Sequence, residues 1–192
     1  MRKIIVSAAL VALASGCAGH NIGAPGTAGN MGGGMGAQSA GGMDMSDMTP
    51  TQAMPYVMMA GASDLFEIQS SQMAVQRAQN PQVRQYAQML IQHHQMTTQQ
   101  VMAAARAAGL TPRPPMLMPM QRQMLTELQG MSGAGFDAAY IRQQVPAHQM
   151  ALALHQNYAD NGDRPQLQAV ARTAVPIVTQ HLQQAQAMMS GM

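Results

Sequence analysis

Apolar and small residues recur at spacings of three and four along most of the chain after residue 53. This spacing is typical of amphipathic helices, and no stretch alternates apolar and polar residues as a half-buried strand does. Turn and stop signals divide the pattern at Asn80-Pro81, Gly109, residues 132–135 and Asn161-Gly162. The chain is therefore predicted to be all-α, with long helices at about 54–79, 81–108, 136–161 and 165–189 and a short helix at about 120–131.

The stretch at residues 110–120 contains four prolines, which make it an extended connection rather than a helix. A connection of this length can carry the chain from one end of a helix bundle to the other. We therefore expect an up-down four-helix bundle with a long crossover that contains the short helix. Pro146 and Pro176 fall inside the third and fourth long helices, where we expect bends or local unwinding.

Each long helix carries one residue of a type that binds metals on its inward stripe. One such residue per helix at similar depth is the geometry of a metal site built in a bundle core. Three imidazoles and a carboxylate suit zinc, copper, nickel or iron, and residue type alone does not choose among them. The same residues can instead form a buried hydrogen-bonded network without metal. The predicted core set is Glu67, His94, His148 and His181.

His93 adjoins His94, but successive helical residues are rotated by about 100°. It is therefore expected on a neighbouring face, where Met89 and Met96 at helical spacing make it part of a peripheral candidate site.

The chain contains 22 Met, an excess that needs a reason. Met43, Met45 and Met48 lie in a Gly-rich stretch with no core to fill, and closely spaced thioethers favour Cu(I). Copper is therefore the preferred metal, with zinc as the other ion considered. Other methionines are expected to fill the core in place of leucine, namely Met58, Met73, Met89, Met124 and Met188.

The N-terminus has the pattern of a bacterial lipoprotein signal. Arg2 and Lys3 precede an apolar run that is too short to span a bilayer, and small residues lead to Cys17. The segment before Cys17 resembles a lipobox, although its leucine stands one place early. We expect a signal peptide at 1–16, a lipidated Cys17 with a flexible Gly/Met-rich tether at 17–53, and a bundle domain at 54–192. Ala18 after the cysteine resembles the sorting pattern for the outer membrane, so the predicted location is the periplasm, anchored to that membrane.

Charge and motifs exclude several functions. Only 9% of residues are charged, with a formal net charge of +2, so we expect no nucleic-acid partner. Glu67 is taken as the only acid on an inward stripe, and no Glu-x-x-His motif is present, which argues against a dinuclear oxidase. With no nucleophile motif either, we do not expect an enzyme.

Several stretches together resemble the bacterial envelope family called domain of unknown function 4142. They include Asp64-Leu-Phe-Glu67-Ile, Tyr86 to His94, Gly135 to Tyr140, Gln144-Val-Pro-Ala-His148 and Pro176 to His181. The resemblance implies a ferritin-like four-helix bundle and a place in the envelope, and it implies no activity. His93 and His155 are departures, because Asp and an aromatic residue are usual there. A second resemblance, to the family numbered 305, rests only on His93-His94-Gln95.

The sequence thus predicts an envelope lipoprotein that binds a transition metal, copper by preference, for buffering or stress protection. The alternative is a non-catalytic structural or interaction module with a buried His/Glu network, whose protein partner the sequence does not indicate.

Overall fold

A computed structural model describes residues 49–192. The predictions for the signal peptide, Cys17 and the methionines Met43, Met45 and Met48 lie outside these residues. Within them all regular secondary structure is helical, with no strand. None of these helices is long and apolar enough to cross a membrane. The helices are α1 (Ala53–Arg77), α2 (Pro81–Ala107), α3 (Pro119–Gln129), α4 (Gly133–Asn161) and α5 (Pro165–Ser190).

Local sequence signals set the helix ends. The Asn80 side chain accepts a hydrogen bond from the Gln82 backbone N–H at 2.8 Å and caps α2, which begins with a proline. Gly109 ends α2 with a φ of 78°, in the left-handed region that glycine adopts most readily. Against expectation, α4 begins at Gly133 rather than near 136, and α4 and α5 continue without unwinding through Pro146 and Pro176.

The four long helices form a bundle in which neighbours run antiparallel. The Asp163 N–H donates to the Thr51 carbonyl at 3.0 Å, so α4 ends where α1 begins. The Gln79 N–H donates to an Asp137 carboxylate oxygen at 3.1 Å, so α4 begins where α1 ends. The crossover and α3 connect the end of α2 to the start of α4 at the opposite end of the bundle, and α3 packs against α1 and α4. The predicted all-α bundle with a long crossover is confirmed.

The apolar core is divided into two clusters. One surrounds the α1–α2 turn and includes Tyr86, Leu90 and Tyr140, and the other surrounds the start of α1 and includes Tyr56 and Val101. Between them along the helices lies a buried group that we call the polar layer. It consists of Asp64, Glu67, His94, Thr97, His148 and His181. A folded protein normally fills this position with apolar side chains, so the polar layer requires a chemical explanation.

Candidate metal centre

Three histidines from different helices meet in the polar layer. His94 in α2, His148 in α4 and His181 in α5 are 3%, 0% and 0% exposed. One ring nitrogen from each lies within 4.8 Å of the others. Their ring centroids are 5.3 to 5.6 Å apart, so the imidazoles form a nearly equilateral triangle. We call these three residues the His triad.

Each imidazole of the His triad makes a hydrogen bond through one of its two ring nitrogens. His94 Nδ1 lies 2.8 Å from Asp64 Oδ1, and His148 Nδ1 lies 2.9 Å from the Gln144 carbonyl oxygen. A carbonyl or ionised carboxylate oxygen can only accept, so Nδ1 carries the proton in both rings. His181 Nε2 lies 2.8 Å from His93 Nδ1. Metal-binding histidines are typically oriented in this way by their second nitrogen.

The remaining nitrogens of the triad are buried without a hydrogen-bond partner in the part of the chain that the structure describes. They are His94 Nε2, His148 Nε2 and His181 Nδ1. Each unsatisfied buried polar atom costs about 1–3 kcal/mol. Three nitrogens bound to one ion lie about 3.3–3.6 Å from one another, because metal–nitrogen bonds are about 2.0–2.1 Å long. The triad nitrogens, which lie within 4.8 Å of one another, must therefore approach by roughly 1 Å to hold one ion.

Glu67 lies beside the triad rather than in it. Its Oε1 is 3.8 Å from His148 Nδ1, the nitrogen that already faces Gln144. Both of its carboxylate oxygens are buried and lack a hydrogen-bond partner among residues 49–192. Burial raises the Glu67 pKa to about 7, although the charge of His94 opposes the rise. The predicted four-residue set is thus present as three imidazoles with one adjacent carboxylate.

The electrostatics keep most of the imidazoles neutral at pH 7. Burial, together with the charge of His94, lowers the pKa of His148 to about 3 and that of His181 to about 2. Burial would also lower the pKa of His94, but the hydrogen bond and charge of Asp64, with the charge of Glu67, raise it instead. Neutral imidazole is the form that binds metals, so His148 and His181 present lone pairs across the physiological range.

Asp64 is a site residue that the sequence analysis missed. It is 2% exposed, so the expectation that Glu67 is the only inward acid is wrong. Its second oxygen accepts a hydrogen bond from Thr98 Oγ1 at 2.9 Å, while the first binds His94. The sequence could have indicated Asp64, because it stands three residues before Glu67 and both acids therefore lie on one side of α1.

His93 also lies elsewhere than expected. It is half-buried, and its bond to His181 links it to the triad rather than to a separate methionine face. Of the two methionines assigned to that face, Met89 packs against the apolar cluster at the α1–α2 turn, and Met96 is 46% exposed. His155 is buried outside the triad, with Nδ1 3.0 Å from the Tyr56 hydroxyl.

The methionines of residues 49–192 lie in several different environments. Met73, Met89 and Met188 pack against a core cluster as expected, whereas Met58 is 64% exposed, so the expectation that it fills the core is wrong. Other methionines, including Met124, which was also expected in the core, line an apolar pocket of about 230 Å³ between α1, α3 and α4, which is bounded also by Phe66. These pocket residues are Met59, Met118, Met120, Met124 and Met150.

Comparison with known proteins identifies the family. The family described as "Domain of unknown function (DUF4142)" matches residues 38–188, most of the chain. The chain belongs to this family. The resemblance of the sequence to this family is therefore confirmed, and no curated protein matches this DUF4142 chain.

Solved structures with the same fold include two forms of CopM. CopM in its Cu(II)-bound form has a TM-score of 0.64 and 21% identity, over 73% of this chain and 97% of that chain. CopM in its Cu(I)-bound form has a TM-score of 0.63 and 21% identity, over 73% and 96%. A DUF305 fragment from Deinococcus radiodurans has a TM-score of 0.64 and 18% identity, over 75% and 98%. At these identities the likeness of this DUF4142 chain to them concerns the fold.

Proposed function

We propose that this protein binds one copper ion in the His triad, as a buffering or protective protein of the bacterial envelope. One observation carries the proposal. Three buried imidazoles from different helices bring ring nitrogens within 4.8 Å of one another, and each ring has one nitrogen without a hydrogen-bond partner among residues 49–192, while its other nitrogen is held by a hydrogen bond. A structural network is expected to pair its buried atoms, whereas a metal site leaves them open for the ion.

Copper is preferred over the other ions that imidazole binds. Divalent copper binds nitrogen ligands more tightly than zinc does, and thioethers favour Cu(I). The 22 methionines of the chain are consistent with that preference. CopM, which shares the fold, has been solved with Cu(I), Cu(II) and silver bound. Zinc lacks comparable support and serves as the comparison ion.

Binding rather than catalysis is the proposed activity. A dinuclear oxidase needs several carboxylates that bridge or flank two metals. Asp64 is already engaged by His94 and Thr98, so Glu67 is the one carboxylate of the polar layer left to join an ion. Three imidazoles and one carboxylate suit retention of a single ion.

The proposed cellular setting is the outer membrane, with a lipid on Cys17 that anchors the bundle in the periplasm. Its support is the signal pattern of residues 1–17. Radiolabelled fatty acid should label the wild-type chain in bacterial cells, whereas Cys17→Ser should remain unlabelled and leave the membrane fraction. Equal labelling of both chains would contradict the lipid assignment.

Titration of the mature protein with Cu(I), Cu(II) and Zn(II) tests the metal assignment. Wild-type protein is expected to bind one copper tightly at the triad, and His148→Gln should weaken that binding at least tenfold. His155→Gln is the matched control, because it removes a buried imidazole that lies outside the triad. Equal losses in the two variants, or no binding tighter than about 10 μM, corresponding to about −7 kcal/mol, would instead favour a non-catalytic structural module.

A further inference from the structure

His93 lies directly behind His181 on the side away from the triad. His93 Nδ1 and His181 Nε2 are 2.8 Å apart, and the two ring planes are inclined by only 15°. This near-parallel contact allows an N–H of one ring to point at the lone pair of the other within the ring plane. Since a neutral imidazole has one donor and one acceptor nitrogen, one ring donates and the other accepts.

The other two triad members show which ring must donate the hydrogen bond between His93 and His181. His94 and His148 each donate from the outer nitrogen, because their partners are the Asp64 carboxylate and the Gln144 carbonyl oxygen. When these rings are neutral, their inner nitrogens carry lone pairs. His181 offers a lone pair at Nδ1 only if its proton is on Nε2, and that proton must be donated to His93.

We propose that His93 is a positioning residue that accepts a hydrogen bond from His181 Nε2–H and so holds the His181 Nδ1 lone pair toward the ion. The proposal rests on the proposed function in that it assigns His181 as a metal ligand. It replaces the expectation that His93 is itself a ligand in a methionine site. His93 Nδ1 is occupied by His181, and its other nitrogen lies across the ring from that contact.

The partner of His181 differs from those of the other two ligands. Asp64 and Gln144 are buried, whereas His93 is half-buried and uncharged when it accepts. An imidazole is also the only one of the three partners that can reverse its donor and acceptor nitrogens. Among the three triad rings, only His181 is therefore oriented by a side chain that solvent can reach.

Two substitutions separate positioning from metal binding. His93→Asn keeps an acceptor, because the Asn amide oxygen can take the place of His93 Nδ1. His93→Leu has the same branching and no acceptor. Gln95→Leu, at an exposed site on the same helix, controls for an added apolar side chain.

The first readout needs no metal. Two-bond nitrogen–proton NMR correlations of the imidazole rings in metal-free protein report which His181 nitrogen carries the proton. We expect Nε2–H in wild type, His93→Asn and Gln95→Leu, and its loss in His93→Leu. A proton on His181 Nδ1 in the wild-type protein would overturn the proposal.

The second readout is affinity for Cu(I). His93→Leu should weaken binding 10- to 100-fold, the usual effect of losing such a partner, while His93→Asn should keep the wild-type affinity. An equal loss in both variants would overturn the positioning role, since it would mean that His93 binds the ion directly. Absence of copper binding by wild type with the Nε2–H form intact would refute the proposed function and support the hydrogen-bond assignment.

Discussion

Replacing His148 with leucine should separate a metal site from a structural network by the sign of its effect on stability. His148 is fully buried, its Nε2 has no partner within the described chain, and Nδ1 bonds only to the carbonyl of its own helix one turn earlier. Leucine is similar in size and has no polar atom. In metal-free protein the substitution removes an unsatisfied group and breaks no bond between helices.

The unsatisfied nitrogen costs about 1–3 kcal/mol. Part of the gain from removing it is lost to imperfect packing, since even a well-matched core substitution costs up to about 1.5 kcal/mol. Metal-free His148→Leu should therefore be as stable as the wild type or more stable, by up to about 1 kcal/mol. With free copper at 100 times the dissociation constant, the wild type should gain about 2.7 kcal/mol and the variant far less.

Urea unfolding of chelator-treated protein, followed by circular dichroism with and without copper, measures both effects. His155→Leu is the control, because it leaves the buried Tyr56 hydroxyl without its imidazole partner. That variant should lose about 1–3 kcal/mol in metal-free protein and retain the copper gain. A similar loss in metal-free His148→Leu, with an undiminished gain from copper, would refute the reasoning.

Three further predictions follow from the same geometry. Metal-free protein should lose stability as pH falls below about 6.5, by up to about 1.4 kcal/mol per pH unit for each histidine with a lowered pKa. In the folded protein the pKa values of His148, His155 and His181 are about 3, 4 and 2, so in this pH range these histidines bind protons mainly in the unfolded chain. Glu67, with a folded pKa of about 7, binds its proton more readily in the folded state and offsets part of this loss of stability. Urea midpoints at pH 7, 6 and 5 check the sign, and a midpoint that rises on acidification would contradict it. Asp64→Ala should weaken copper binding about 10- to 100-fold by releasing His94, as measured by competition with a chromophoric chelator, and unchanged affinity would remove Asp64 from the site. Deletion of residues 18–48 should lower the Cu(I) stoichiometry and spare the triad ion, as measured by equilibrium dialysis, whereas equal stoichiometry would show that the tether methionines do not bind.

Much of the fold follows from local patterns in the sequence. Periodicity and turn signals place the five helices to within a few residues, and the prolines of the crossover indicate how the chain changes ends. His94, His148 and His181 can be found because each lies on the inward stripe of a long helix.

The partners behind the ligands could not be found in the same way. A helical stripe drawn from the sequence is a single line of residues, whereas the buried face of α1 is wide enough to include Asp64 as well as Glu67. His93 is rotated away from His94, but α5 packs on that side of α2, so its ring reaches His181. Which neighbour a flanking side chain contacts depends on helix packing, and the sequence pattern does not specify that.

X-ray absorption spectroscopy of the mature protein with one equivalent of copper tests the central claim most directly. The account predicts about three imidazole nitrogens near 2.0 Å, with the multiple-scattering pattern of histidine rings, and the loss of one ring in His148→Leu. A first shell of sulfur alone, unchanged in His148→Leu, would contradict the account and assign the copper to the methionines.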